Sequence, residues 1–294
     1  MSHRSGFVAL AGRPNAGKST LVNRLVGERV AAVSNRPQTT RRRALGVVAG
    51  EGYQLVLVDL PGVQRPFDRL TERMQRAVDE TLGDADAVVL VLNGQEGIGA
   101  GDRYVARRVF AEGAPPCVIA LNKVDKLKPA AIAERIVEAS ELGEFHALHP
   151  ISALTGDGVG PLLDDLAGLL PEGPAFFPAG VVSDQTLDQR IAEIIREATL
   201  ERTREELPHA VAVVVEEVLP ARRGAAVVRA TVLCETRSQK AILVGKHGEM
   251  VKAIGTAARP EIERLLDSSV HLELSVRARP HWRRDESALD RMGV

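Results

Sequence analysis

The chain has 294 residues, which is enough for two domains of ordinary size. Hydrophobic residues make up 45% and charged residues 26%, a balance that excludes a disordered or fibrous protein. The formal net charge is -1, yet residues 222–284 carry 13 Lys and Arg against 6 Asp and Glu. This local excess of seven positive charges indicates a polyanionic partner. A solvated surface would give the same count, and charge alone leaves the choice open.

The cysteines and the apolar runs indicate a compartment. Cys117 and Cys234 are the two cysteines, so the sequence offers neither a disulfide framework nor a clustered zinc site. The longest apolar runs, such as Ala87–Leu92, are far shorter than the roughly 20 residues that span a bilayer. We therefore expect a cytoplasmic protein without a signal segment, with peripheral membrane contact left open.

Up to about residue 170, short β-branched runs alternate with helical patterns. The clearest strands are Phe7–Ala11, Tyr53–Asp59, Asp86–Asn93 and Cys117–Asn122. The alternation predicts an α/β domain with a parallel sheet covered by helices. The run Ala44–Ala49 is separated from Tyr53 by three residues, which predicts a hairpin and thus one antiparallel edge strand.

Three prolines and two glycines between Pro171 and Gly180 interrupt both periodicities. We therefore predict a nucleotide domain over residues 1–172, a linker over 173–183 and a smaller α+β domain over 184–294. The predicted elements of the second domain begin with a helix at about Gln185–Glu206, a strand at His209–Val218, a turn at 222–224 and a strand at Ala225–Cys234. A helix, a glycine-flanked turn, another helix and a strand follow.

The first predicted strand leads into a glycine-rich loop that opens a predicted helix. Its sequence is Gly12-Arg13-Pro14-Asn15-Ala16-Gly17-Lys18-Ser19-Thr20, which contains the G-x-x-x-x-G-K-[ST] pattern. Glycines let successive backbone N–H groups curl around phosphates, Lys18 offsets charge on the β and γ groups, and the Ser19 hydroxyl can ligate Mg²⁺. The loop predicts nucleotide binding through Gly12, Asn15, Ala16, Gly17, Lys18, Ser19 and Thr20.

The next parallel strand ends in Asp59-Leu60-Pro61-Gly62. At this position the Asp59 carboxylate can hold Mg²⁺ through water, and the Gly62 amide can sense the γ-phosphate. A lone Asp at a strand end is usually a cap or turn residue. Its place after the phosphate loop favours the functional interpretation.

A later strand is closed by Asn122-Lys123-Val124-Asp125. Asp125 can accept hydrogen bonds from guanine N1–H and from the exocyclic amine, while Lys123 packs along the base. Adenine lacks this donor pair and would leave the carboxylate desolvated and unpaired. The tetrapeptide therefore predicts GTP as the nucleotide.

The last strand of the domain is followed by Ser152-Ala153-Leu154. Here the backbone N–H of Ala153 can meet guanine O6. Four boxes in this order at successive strand ends resemble the translation-factor-related class of P-loop GTPases, and the resemblance covers residues 6–170.

A G-x-x-G turn lies between two apolar stretches of the second domain, at Gly245-Lys246-His247-Gly248. In KH domains such a turn clamps a nucleic-acid backbone, with Lys246 and His247 facing phosphates; Lys252 lies just beyond. A plain helix–helix turn is the common alternative. The α-β-β-α-α-β order is the type II KH arrangement, and with the basic ending Arg277, Arg279, Arg283 and Arg284 it favours RNA. Trp282 could stack on a base, although a single surface or core tryptophan is the commoner case.

A P-loop GTPase domain followed by one type II KH domain resembles the Era family over nearly the whole chain. The resemblance implies binding near the 3′ end of 16S ribosomal RNA, a role in small-subunit assembly, and peripheral membrane association. We expect a monomer. The resemblance to the Era family also implies that Thr40, in Gln38-Thr39-Thr40-Arg41, completes Mg²⁺ coordination, with Thr39 as the alternative.

Many GTPases have a water-orienting glutamine where this chain has Val63, so we expect slow turnover. Gln64 lies one position too late for this role, and Arg65 could act as an arginine finger, but both are more simply ordinary loop residues. Asn15 suggests a remedy, because relatives with asparagine here can hold K⁺, which adds positive charge in the transition state. The predicted catalytic set is thus Lys18, Thr40, Gly62 and Asn15.

Two other functions fit parts of the sequence. An RNA-binding scaffold that binds GTP without useful hydrolysis is suggested by Val63. A GTPase partnered with a tRNA-modifying enzyme would carry a helical insertion after the nucleotide domain, where this chain has a KH pattern.

Overall fold

The computed structural model describes residues 3–33, 43–63, 69–203, 207–220 and 224–284. These residues fall into two compact units. The first holds most of the chain up to Asp184, and the second consists mainly of the residues from Gln185 on. Thr39, Thr40, Gln64 and Arg65 lie outside the described residues.

The first unit contains a six-stranded sheet in the order β2-β3-β1-β4-β5-β6. Its strands are β1 (Arg4–Ala11), β2 (Ala44–Gly50), β3 (Tyr53–Asp59), β4 (Ala87–Asn93), β5 (Cys117–Asn122) and β6 (Ala147–Pro150). β2 pairs antiparallel with β3, and all other pairs are parallel. The predicted mixed sheet with one antiparallel edge strand is confirmed. The central strand β4 is buried along its whole length because helices cover both faces of the sheet.

Among the described residues, five helices cover this sheet. They are α1 (Lys18–Val26), α2 (Arg69–Asp84), α3 (Ala100–Val109), α4 (Pro129–Ser140) and α5 (Val159–Leu169). Leu21 of α1 and Leu162 of α5 belong to one buried cluster. Val78 of α2, Val105 of α3 and Ala139 of α4 belong to the cluster on the opposite face. The parallel strands therefore end together at one edge of the sheet, where loops can form a ligand site.

The segment that we expected to be a linker packs along the first unit. The Gln54 side chain, 3% exposed, accepts hydrogen bonds from the amides of Phe176 and Phe177 at 2.8 and 2.9 Å and donates to the Phe177 carbonyl at 2.9 Å. Val47 of β2 donates its amide to the Val182 carbonyl at 2.9 Å. The prolines and glycines thus end regular structure while the backbone stays hydrogen-bonded.

The second unit is a three-stranded sheet in the order β7-β8-β9, with helices packed on it. In chain order its elements are α6 (Leu187–Arg202), α7 (Leu207–Ala210), β7 (Ala212–Leu219), β8 (Ala226–Cys234), α8 (Arg237–Val244), α9 (Glu249–Leu266) and β9 (Val270–Ala278). β8 pairs antiparallel with β7 and parallel with β9. Ile195, Leu243 and Ile262 bring α6, α8 and α9 into one buried core. Apart from the short helix α7, the expected element order is confirmed.

One predicted boundary in this unit is wrong. We expected a strand from His209, but His209 lies in the short helix α7 and the strand begins at Ala212. Pro208 explains the difference, since its fixed φ and missing N–H suit the first turn of a helix. The predicted turn at 222–224 falls mainly outside the described residues.

Candidate functional site

The phosphate loop joins the end of β1 to the start of α1 in a conformation that favours glycine. Asn15 and Gly17 both have left-handed backbones, with φ of 63° and 100°. A Cβ added to Gly17 would lie 2.1 Å from Asn122 Nδ2, so a larger residue does not fit. α1 begins at Lys18, so the amides of its first turn and the positive end of its dipole face the loop. The loop is shaped to hold an anion.

Lys18 is buried against this loop. Its Nζ donates to the carbonyls of Gly12 at 3.2 Å and Arg13 at 3.1 Å. Burial lowers the pKa of Lys18 to about 8, partly opposed by the carboxylate of Asp59. A phosphate placed beside the ammonium would favour its charged form.

Ser19 and Asp59, both predicted to hold Mg²⁺, are in direct contact. The Ser19 hydroxyl donates to Asp59 Oδ2 at 2.6 Å. Asp59 ends β3 and is fully buried. A carboxylate and a hydroxyl are hard oxygen donors of the kind that Mg²⁺ prefers, so this pair fits the ion chemically.

Gly62 approaches the phosphate loop closely. A Cβ at this residue would lie 2.7 Å from Pro14 N, so any larger residue at this position would clash with the phosphate loop. The next amide, of Val63, donates to the Gly12 carbonyl at 3.2 Å. The Val63 side chain, 4% exposed, packs in the apolar core and has no polar atom to orient water. Gly62 therefore lies against the phosphate loop.

Asn122 connects three loops at the carboxyl edge of the sheet. Its Nδ2 donates to the Ala16 carbonyl at 2.9 Å, while its Oδ1 accepts the amides of Lys123 at 2.8 Å and Ala153 at 2.9 Å. The Ala153 amide, which we predicted to meet guanine O6, donates to Asn122 here and would have to be shared with the base. Asn122 thus fixes the three loops of the pocket relative to one another.

The remaining residues of the base-recognition boxes are also joined. Ser152 Oγ donates to Asp125 Oδ1 at 2.7 Å, which fixes the orientation of the carboxylate. Lys123 has a left-handed backbone, with φ of 66°, and its Nζ donates to the Asn15 carbonyl at 2.8 Å. Leu154 is 65% exposed. The structure therefore brings the predicted phosphate and guanine residues together.

Sequence reasoning missed three side chains around this pocket. Arg24 of α1 donates to the carbonyls of Ala153, at 3.2 Å, and Leu154. Arg13 of the phosphate loop donates to Asp102 of α3 at 2.8 Å. No local pattern could reveal these contacts, because their partners lie 89 or more residues away.

In the second unit, the predicted G-x-x-G turn connects α8 to α9. Gly245, His247 and Gly248 all have positive φ, of 74°, 51° and 81°. A Cβ at Gly245 would lie 2.7 Å from Met250 N, which makes glycine necessary there. Lys246, His247 and the nearby Lys252 of α9 are exposed. The turn presents positive charge to solvent, as the prediction requires.

A groove of about 790 Å³ lies beside this turn, between α8 and β9. Its lining is Arg237, Lys240, Ala241, Val244, Gly245, Arg277 and Ala278. Three cations next to small apolar side chains suit a sugar-phosphate chain with bases against an aliphatic wall. Arg237 and Lys240 were missed by sequence reasoning, although they share a face of α8.

Trp282 does not form a stacking surface. It is 1% exposed, and its Nε1 donates to the Ala210 carbonyl at 3.0 Å. Its role is therefore structural.

Together, the phosphate loop, the guanine pocket and the G-x-x-G turn define a P-loop GTPase joined to a KH domain. Family models agree: residues 7–123 match "50S ribosome-binding GTPase" and residues 206–283 match "KH domain". The chain is 43% identical to GTPase Era of Mycolicibacterium paratuberculosis (strain ATCC BAA-968 / K-10) over 294 residues, covering 99% of this chain and 98% of that protein. The chain belongs to the Era family and is a GTPase.

Solved structures of the same family are similar over the whole chain. One is Era in complex with MgGDPNP and nucleotides 1506–1542 of 16S ribosomal RNA, at 34% identity, a TM-score of 0.94 and 99% coverage of both chains. Another is an Aquifex aeolicus Era variant bound to GDP and AlF₄⁻, with the same identity, TM-score and coverage. Membership in a GTPase family argues against an RNA-binding scaffold that does not hydrolyse GTP. The KH domain occupies the place where a GTPase partnered with a tRNA-modifying enzyme would carry a helical insertion. Within the described ranges, no helix is long and apolar enough to cross a membrane.

Proposed function

We propose that GTP binds at the carboxyl edge of the first sheet, with its phosphates on residues 12–20 and its base between Lys123, Asp125 and residues 152–154. The observation that carries this proposal is that the Asn122 side chain donates one hydrogen bond and accepts two, which join the phosphate loop to both base-recognition loops. A pocket preorganised by the protein itself loses little entropy when the nucleotide binds.

The same edge offers the groups that phosphoryl transfer needs. Lys18 carries positive charge to the β and γ groups, and Ser19 and Asp59 would hold Mg²⁺ together with Thr40. When bound, Mg²⁺ neutralises charge that develops between the phosphates. The Era relative solved with MgGDPNP supports this assignment.

Hydrolysis without a partner is expected to be slow because Val63 replaces a water-orienting side chain. We propose that Asn15 helps to hold K⁺ beside the phosphates, where the ion supplies positive charge to the transition state. Hydrolysis by wild type and Asn15→Ala should be compared in K⁺ and Na⁺. Stimulation by K⁺ in the wild type alone is expected, and a wild type indifferent to the cation would contradict the proposal.

The KH domain is proposed to bind 16S ribosomal RNA near its 3′ end through Gly245, Lys246, His247, Gly248 and Lys252. The Era relative solved with nucleotides 1506–1542 supports this target. The exposed cations of the turn and the basic groove beside it support the RNA-binding surface.

The cellular role that follows is a cytoplasmic GTP-dependent switch in maturation of the small ribosomal subunit. We propose a monomer with domains at 1–172 and 184–294 and a linker at 173–183, and with peripheral contact at the cell membrane. The buried thiols of Cys117 and Cys234 are compatible with a reducing compartment.

Competition against fluorescent GDP tests the nucleotide assignment. GTP should compete well. ITP should compete about tenfold less well because it lacks the exocyclic amine that donates a hydrogen bond to Asp125, and ATP should compete at least about a thousandfold less well. Equal competition by ATP would contradict guanine recognition by this pocket.

A further inference from the structure

The Arg13 side chain leaves the phosphate loop and reaches the first turn of α3. Its Nε donates to Asp102 Oδ1 at 2.8 Å, and its Nη2 lies 3.4 Å from Glu96 Oε2. The Asp102 side chain is 2% exposed and that of Glu96 54%. Asp102 is therefore the partner that water screens least.

Asp102 is itself fixed in place. Its second oxygen, Oδ2, accepts the Gly99 amide at 2.9 Å at the start of α3. A buried carboxylate needs a positive partner to offset its desolvation, and Arg13 supplies it. The two oxygens of Asp102 thus join the phosphate loop to a helix end.

Gly101 makes room for this contact. It is the second residue of α3, where alanine would favour the helix. A Cβ there would lie 2.5 Å from Arg13 Cδ. The glycine allows the arginine stem to cross the helix.

The backbone of Arg13 is part of the phosphate cradle. Its carbonyl accepts Lys18 Nζ at 3.1 Å and the Ala16 amide at 3.3 Å. Arg13 therefore contacts α3 through its side chain and Lys18 through its backbone carbonyl.

We propose that Arg13 is a positioning residue for the nucleotide: its tether to Asp102 holds residues 13–16 in the anion-binding conformation and slows nucleotide release. The proposal rests on the assignment of this loop as the GTP site. It predicts an effect on nucleotide release that is separable from an effect on folding.

Gly101→Ala tests the tether without touching the loop. The added methyl should displace the Arg13 stem, so we expect fluorescent GDP to dissociate about tenfold faster, while the midpoint of thermal unfolding without nucleotide is kept or raised. Gly160→Ala is the matched control: Gly160 is the second residue of α5, and a Cβ there would meet nothing within 4 Å. This control should release GDP at the wild-type rate.

The double variant Arg13→Ala/Gly101→Ala should release GDP no faster than Arg13→Ala, since both changes remove the same contact. Arg13→Lys should restore part of the slow release. Arg13→Ala/Asp102→Asn removes the buried charge, so it should recover thermal stability while fast release persists.

Two results would overturn the inference, and they are distinguishable. If wild type binds GDP and both Gly101→Ala and Arg13→Ala/Asp102→Asn release it at the wild-type rate, the tether has no positioning role. If wild type does not bind GDP at all, the site assignment fails as well.

Discussion

In the first unit the groups assigned to guanine hold one another, whereas in the second unit the groups assigned to RNA stand in solvent. Asn122 is 2% exposed and bonds to three loops. Lys246 and His247 are exposed on a turn shaped by glycines. A preorganised pocket gives high selectivity for one small ligand. An exposed basic turn gives salt-dependent attraction to a polyanion.

The largest effect is expected at Asp125, whose carboxylate is assigned to guanine recognition. Asp125→Asn should weaken GTP binding about a hundredfold, because an amide cannot accept from both guanine donors. The Asn amide can donate to the 2-oxo group of xanthine, so XTP should bind the variant better than GTP. Competition against a fluorescent nucleotide measures both. A variant that still prefers GTP would argue that base recognition lies elsewhere.

The next effect follows from the Lys18 ammonium. Its pKa is lowered to about 8, so above this pH the nucleotide-free protein loses the charge that phosphates require. A bound phosphate raises that pKa, so binding takes up a proton, about half a proton per GDP at pH 8, and affinity falls about tenfold from pH 7 to pH 9.

Titration calorimetry in buffers of different ionisation enthalpy measures this proton uptake. Lys18→Met keeps the length of the side chain without the ammonium and should bind GDP more weakly with no uptake. Uptake that persists in this variant would assign the proton to another group.

At the exposed turn we expect a smaller effect with a different signature. Lys246→Ala should weaken RNA binding about fivefold and reduce the salt slope by about one, with GDP affinity and thermal unfolding unchanged. Lys128→Ala is a control that removes one positive charge from the first unit and leaves the KH domain unchanged. If Lys246→Ala shifts GDP affinity as much as RNA affinity, the contrast between the two sites breaks down.

The smallest effect is expected at Arg24. It is exposed and donates to the carbonyls of Ala153 and Leu154, so it steadies the guanine loop from outside. Arg24→Ala should speed GDP release about threefold, since exposed charged contacts contribute little. Stopped-flow release measures the change. Release that is about a hundredfold faster would mean that the conformation of the guanine loop depends on Arg24 rather than on the buried Asn122.

The sequence predicted the parts of the molecule that local chemistry determines. The strand ends, the glycine-rich phosphate loop and the order of the boxes follow from motifs a few residues long. The roles of Asn122 and Arg13 do not, because each depends on partners from distant parts of the chain that meet only when the sheet forms. His209 shows a different error: we predicted that it begins a strand, but it lies in the helical turn Leu207–Ala210, where Pro208 suits the first turn.

The most direct test of a GTP-controlled RNA switch is the affinity of the full chain for RNA from the 3′ end of 16S ribosomal RNA, measured with GDP and with a non-hydrolysable GTP analogue. We predict at least about fivefold tighter binding with the analogue, since a switch requires a difference in affinity between its two states. Equal affinity in the two nucleotide states would contradict the account.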